Sequence, residues 1–174
     1  PNNATLIIVG DVNHSEALQQ VQKYFGDIPK RPTPQRNDVT EFDRVGYRHM
    51  EVALPVQVPN LLMAWNTRSL PTAKNPQDAY ALTIIRSVLD GSISARLQNK
   101  LVREQKKLTA ISVSYDPYNR GDSLFNISAL PAEGVSLAEA EKAIQNEMDL
   151  LKTELIQPEE LERVKSNFIS NLIY

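Results

Sequence analysis

Two short segments in the second half of the chain constrain the fold most. Ile111, Val113 and Tyr115 alternate with Ser112 and Ser114, and Phe125, Ile127 and Ala129 alternate with Asn126 and Ser128. A period of two sends the apolar set to one face and the polar set to the other, which is the pattern of a strand covered on a single side. The turn residues Asn119-Arg120-Gly121-Asp122 join them. An upstream pair has the same arrangement. Met50, Val52 and Leu54 oppose Tyr47, His49 and Glu51, and predict a half-buried strand over Tyr47–Leu54. Leu61-Leu62-Met63-Ala64-Trp65 predicts a more central strand, with Pro55 and Pro59 in a loose connection between the two.

Helix signals fill the rest. Asn13, with Glu16 three residues on, starts a helix with an apolar face of Ala17, Leu18, Val21, Tyr24 and Phe25, which Gly26 stops. Asn75 followed by Pro76 starts another, with Leu82, Ile85 and Leu89 inward and Asp90-Gly91 as its end. A third runs from about Ser94 to Gln105 with Leu97 and Leu101 on one side. Ser136 and Glu139 form a capping box for a long helix whose apolar face is Leu137, Ala140, Ile144, Met148, Leu151 and Leu155. Pro158 opens the last, with Leu161, Val164, Phe168 and Leu172 on one face. The continuous apolar run Ala4–Val9 predicts a further strand, covered on both faces. The predicted order is β-α-β-β-α-α-β-β-α-α. Strands in pairs between helices specify an α+β fold, with a mostly antiparallel sheet and helices on one face.

Composition excludes several functions. The chain has 174 residues, 41% of them hydrophobic, enough for a real core and not for disorder. A net charge of -2 gives no footprint for nucleic acid, and no apolar run approaches a membrane span. From Asp27 to about Gly46, Pro29, Pro32 and Pro34 stand among Lys30, Arg31 and Arg36. This short basic stretch without interleaved aromatics reads as a solvated linker. There is no Cys, and the two His, His14 and His49, are far apart and outside any H-x-x-E-H or H-E-x-x-H pattern. A zinc site needs three or four N, S or O ligands held together, so metallopeptidase chemistry would have to come from residues elsewhere. The helical pattern still runs at Tyr174 without a stop signal, and the expectation is a chain cut from a longer one. The compartment stays open between cytosol and periplasm.

Three groups of motifs, in order, carry a family resemblance. They are Pro1-Asn2-Asn3-Ala4-Thr5-Leu6 through Val9-Gly10-Asp11-Val12 with Lys23-Tyr24-Phe25-Gly26-Asp27-Ile28-Pro29; Val88-Leu89-Asp90-Gly91-Ser92-Ile93-Ser94-Ala95-Arg96-Leu97 with Leu101-Val102-Arg103-Glu104-Gln105; and Pro158-Glu159-Glu160-Leu161-Glu162-Arg163-Val164-Lys165. Together they resemble the second domain of a half in the M16 peptidases (the pitrilysin, insulinase and mitochondrial processing peptidase family). The resemblance implies an M16-type α+β domain over residues 1–174, a preceding domain that binds zinc and activates water, and a homologous M16 half as partner. It also implies a peptide substrate enclosed in a chamber between the halves. This domain would supply chamber wall and no zinc ligand. An alternative within the same resemblance is an inactive subunit that scaffolds an active partner.

One residue carries over as a substrate contact. Non-catalytic halves in the family often hold an Arg and, further on, a Tyr that bind substrate. Arg103 matches the first, whereas Ala110 stands where the second would be. That departure fits the second domain of a zinc-bearing half, where the plainer reading of Arg103 is a structural or surface helix residue. The remaining candidates have plainer readings. His49 and Glu51 share a strand face but lack a third ligand. Asp90-Gly91-Ser92-Ile93-Ser94 lacks the Gly-Lys-Ser/Thr ending of a phosphate loop and reads as a turn. Ser112 and Ser114 have no base at a suggestive spacing. Glu159, Glu160 and Glu162 suit the first turns of a helix, where the dipole favours carboxylates.

Overall fold

Local capping sets the helix starts where the sequence predicts them. In α1 (His14–Phe25) the Asn13 carboxamide oxygen accepts the Ser15 backbone N–H at 2.9 Å and that of Glu16 at 3.4 Å. In α2 (Pro76–Asp90) Asn75 accepts from the Gln77 N–H at 3.2 Å, with Pro76 at the first position. In α3 (Leu137–Thr153) the full capping box forms: Ser136 Oγ accepts the Glu139 N–H, and Glu139 Oε2 accepts the Ser136 N–H. Pro158 opens α4 (Pro158–Ile173). Each cap satisfies N–H groups that a helix start leaves without partners.

These elements belong to a computed structural model that describes residues 3–33, 35 and 46–173 and divides into two units, Pro1–Val39 and Thr40–Tyr174. The first unit holds α1, which buries no residue. In the second, β1 (Leu61–Thr67), β2 (Leu108–Ser114) and β3 (Ser123–Pro131) form an antiparallel sheet in the order β1-β3-β2. Met63 sits opposite Ile127 and Trp65 opposite Phe125 on one side; Ile111 faces Ala129 and Val113 faces Ile127 on the other. An irregularity between Leu108 and Ala110 shifts the β2 register.

The structure differs from the sequence reading in three places. The expected strands over Ala4–Val9 and Tyr47–Leu54 carry no ladder, and their apolar side chains are exposed, Val9 at 89% and Met50 at 84%. Alternation specifies which face a residue prefers, not which strand it pairs with, and pairing is a tertiary property. The expected helix from Ser94 is a π-helical turn over Gln98–Glu104, with Arg96 and Leu97 as its only α-helical lead-in. Of the predicted linker, Pro29 and Pro32 lie in irregular chain, and Pro34 and Arg36 fall outside the described residues.

The core lies between one sheet face and the helices. Leu89 of α2, Leu97, Leu101 of the π-helical turn, Ile111 and Val113 of β2, Phe125 and Ile127 of β3, and Ala140 and Ile144 of α3 are buried in one cluster. Leu97, Leu101, Ile127 and Ile144 have no exposed surface. Trp65 meets Phe125 edge-on, centroids 6.4 Å apart, and so extends the cluster to β1.

Side chains close the outer edge of β2. Asp90, at the end of α2, accepts the Val113 N–H at 2.8 Å. Gln98 donates to the Ile111 carbonyl at 2.8 Å and to Asp90 at 3.1 Å, and Arg86 donates from Nε to the Val113 carbonyl at 3.2 Å. These groups would otherwise form an unpaired sheet edge. A second polar clasp holds α4. Arg96 grips the Glu160 carboxylate through Nε and Nη2, at 3.0 and 2.6 Å, and Arg163 reaches the hydroxyls of Ser92 and Ser94 at 3.1 and 2.8 Å.

Ile127→Ala should lower the unfolding free energy by about 2–5 kcal/mol in denaturant titration, because a fully enclosed site collapses poorly around a lost side chain. The Arg96 hydrogen bonds hold the Glu160 carboxyl below its ordinary value. Its stabilisation is therefore present at neutral pH and is lost as pH falls through the lowered value. Glu160→Gln should cost about 1–2 kcal/mol at pH 7. The difference from the unmodified chain should shrink as pH drops below the ordinary value of 4.5. A pH-independent difference would place the effect in packing instead.

Candidate functional site

The helices cover one face of the sheet and leave the other open. On the open face lie Leu62, Ala64 and Asn66 of β1, Leu124, Asn126 and Ser128 of β3, and Ala110, Ser112 and Ser114 of β2, all exposed or half-buried. The register lines them up in rows across the strands, Leu62–Ser128–Ser112 and Ala64–Asn126–Ser114. Hydroxyls and carboxamides on this surface offer both hydrogen-bond donors and acceptors, beside the exposed Leu62 and Leu124.

One end of this face deepens into an open cleft of about 600 Å³, to which Asn66, Ser114, Asp116, Asn119, Asp122 and Asn126 contribute. Its walls are tied together. The fully buried Ser69 donates from Oγ to the Gly121 carbonyl at 2.7 Å, Arg68 meets Asp122 at 2.7 Å, and the Tyr115 hydroxyl donates to the Arg68 carbonyl at 2.6 Å. The segment after β1 is thereby fixed to the β2–β3 turn. The Thr72 hydroxyl and, with it, Arg68 hold the Asp122 carboxyl below its usual range, and burial followed by the charge of Asp116 pushes the Tyr115 phenol up. At neutral pH the cleft thus presents an ionised carboxylate and a neutral phenol.

Of the candidate residues singled out in the sequence, Ser114 lines the cleft, and the others do not converge on it. Arg103 is exposed on the π-helical turn, and its side chain makes no hydrogen bond or ion pair among the described residues. Ala110 lies on the open face opposite Leu130. Among the described residues the His49 ring hydrogen-bonds to the Tyr47 hydroxyl, at 3.4 Å, and Glu51 is exposed off any strand. His14 is the first residue of α1 in the other unit. Ser112 and Ser114 have no base bonded to their hydroxyls among the described residues. The turn hydroxyls of Ser92 and Ser94 serve α4, and of the three early glutamates Glu160 takes Arg96 and Glu162 takes Lys165. The Arg68–Asp122 tie and the buried Ser69 carried no sequence signal, since their partners lie some fifty residues away.

Among the described residues no group of three or more His, Cys, Asp or Glu side chains is placed to hold a metal ion. The donor set here therefore does not fit a zinc site. The arrangement can bind through hydrogen bonds.

A family model described as the peptidase M16 inactive domain matches residues 1–168. A zinc protease PqqE from Helicobacter pylori is 29% identical over 191 aligned residues, covering 99% of this chain and 39% of that protein. The crystal structure of a protease from Helicobacter pylori shares the fold, with a TM-score of 0.73 at 22% identity over 95% of this chain and 41% of its own. The chain thus spans about two fifths of the length of the relatives it matches.

Proposed function

Because this chain belongs to the M16 peptidase family, as the part described as its inactive domain, we propose that it forms a non-catalytic wall of the substrate chamber in a zinc-dependent endopeptidase. The observation that carries the reading is the open sheet face. It carries hydroxyls and carboxamides beside the exposed Leu62 and Leu124, has no metal-ligating cluster among the described residues, and is continuous with a cleft whose walls are cross-tied. A peptide lying on it would exchange hydrogen bonds with Ser112, Ser114, Asn126 and Ser128 while the chemistry proceeds on zinc held by other residues. In this reading residues 1–174 act as one domain, a preceding zinc-binding domain supplies ligands and water activation, and a homologous half closes the chamber.

Arg103 belongs to the same proposal as a substrate contact. Its support is its exposure, its lack of a partner among the described residues, and the resemblance of its segment. An alternative role for the parent, as an inactive scaffold subunit, differs in having no peptidase activity at all.

The purified chain should bind no stoichiometric zinc and cleave no peptide. The full-length parent should cleave unfolded peptides and lose that activity to a chelator. Within the parent, Ser112→Trp should raise KM for a long peptide by about 3- to 10-fold with zinc content unchanged, as expected when ground-state contacts are obstructed away from the reacting atoms. Arg103→Ala should raise KM by a smaller factor. Unchanged KM in both variants would remove the open face from the substrate path. A zinc-free parent with no activity would favour the scaffold.

A further inference from the structure

The cleft at the end of the open face has a lining of two characters. Leu124 stands opposite Asn66 in the ladder and is 46% exposed, an apolar patch within the cleft. The carboxamides of Asn66, Asn119 and Asn126 and the carboxylates of Asp116 and Asp122 lie around it. Among the described residues no Lys, Arg or His lines it.

The two carboxylates are not equivalent. Asp122 meets Arg68 at 2.7 Å, so its charge is compensated within the wall. Asp116 is exposed, accepts the Tyr118 N–H through Oδ1 at 2.9 Å, and forms no ion pair among the described residues. Asn119 donates its amide to the Asp122 carbonyl at 2.7 Å, which leaves its carboxamide oxygen as an acceptor. The cleft therefore holds surplus acceptors and one uncompensated negative charge beside an apolar patch. A ligand that only donates, and that carries a positive charge at the end of an aliphatic stem, satisfies all three features. Lysine and arginine side chains are built in that way.

We propose that the cleft is a subsite for a lysine or arginine side chain of the peptide, with the stem on Leu124 and the charged head at Asp116 and Asn119. The inference rests on the reading of the open face as a wall of the substrate chamber, and adds to it a preference among peptides. Asp116 is the specificity-determining residue. Asp122 is a positioning residue: its pairing with Arg68, together with the Ser69 bond to the Gly121 carbonyl, fixes the β2–β3 turn before any peptide arrives. A site fixed in advance loses little freedom on binding. Because Asp116 is exposed, its contribution is discrimination rather than tight binding. Peptides with a carboxylate at the same position meet a like charge and are disfavoured.

The test measures KM in the full-length parent for long neutral peptides that carry one lysine, norleucine or glutamate, moved one position at a time. At one position lysine should lower KM about 2- to 5-fold relative to norleucine, which keeps the stem and lacks the charge. Glutamate should raise KM there, and kcat should not follow the charge. Asp116→Asn should erase the lysine preference, Asp116→Lys should turn it toward glutamate, and added salt should weaken it. Leu124→Ser should raise KM for the lysine and norleucine peptides alike, with zinc content as the check that each variant is folded. A lysine preference that survives Asp116→Asn would overturn the inference. So would the absence of a preference at every position while Ser112→Trp still raises KM, a result that leaves the chamber wall standing. Unchanged KM in Ser112→Trp would instead remove the wall, and the subsite with it.

Discussion

Phe125 and Ile127 at the centre of β3 are the constraint on which the rest of this chain depends. Both neighbouring strands take their register from them, and the buried side chains of α2, α3 and the π-helical turn pack over the same face. Covering one face of a three-stranded sheet requires the other face to be soluble on its own. Ser112, Ser114, Asn126 and Ser128 meet that demand, and the same residues make the face suitable for polar ligands. The asymmetry that supplies stability thus also supplies the candidate surface.

A one-sided sheet of three strands has two exposed edges, and edges invite pairing with other chains. On β2 the solution is polar. One carboxylate, one carboxamide and one guanidinium, drawn from the end of α2 and the π-helical turn, take up the outward backbone groups. The geometry of the π-helical turn places Gln98 where it can serve both Asp90 and Ile111. Candidate surface and structural seal therefore occupy different parts of the same sheet, the face and the edge.

Local chemistry was legible in the sequence, and long-range pairing was not. Asn13, Asn75 and the Ser136–Glu139 box mark helix starts because a cap and its donors lie within three residues of one another. The α+β class followed from alternation around Asn119–Asp122, and the structure joins those two segments as β2 and β3. Nothing local distinguishes Ile111–Ser114, which finds a ladder, from Tyr47–Leu54, which has none in this structure. The central position of β3 and the seal by Arg86, Asp90 and Gln98 likewise depend on residues brought together by folding. The sequence pointed to Ser112 and Ser114 only as polar positions on a strand. The open face emerged only once the register was known.

The most direct measurement of the central claim is photocrosslinking of a long peptide to the zinc-depleted parent, followed by mapping of the labelled residues. A chamber wall predicts label on β2 and β3 at Ser112, Ser114, Asn126 and Ser128, competed away by unlabelled peptide. Label confined to residues outside this chain, with the open face untouched, would contradict it.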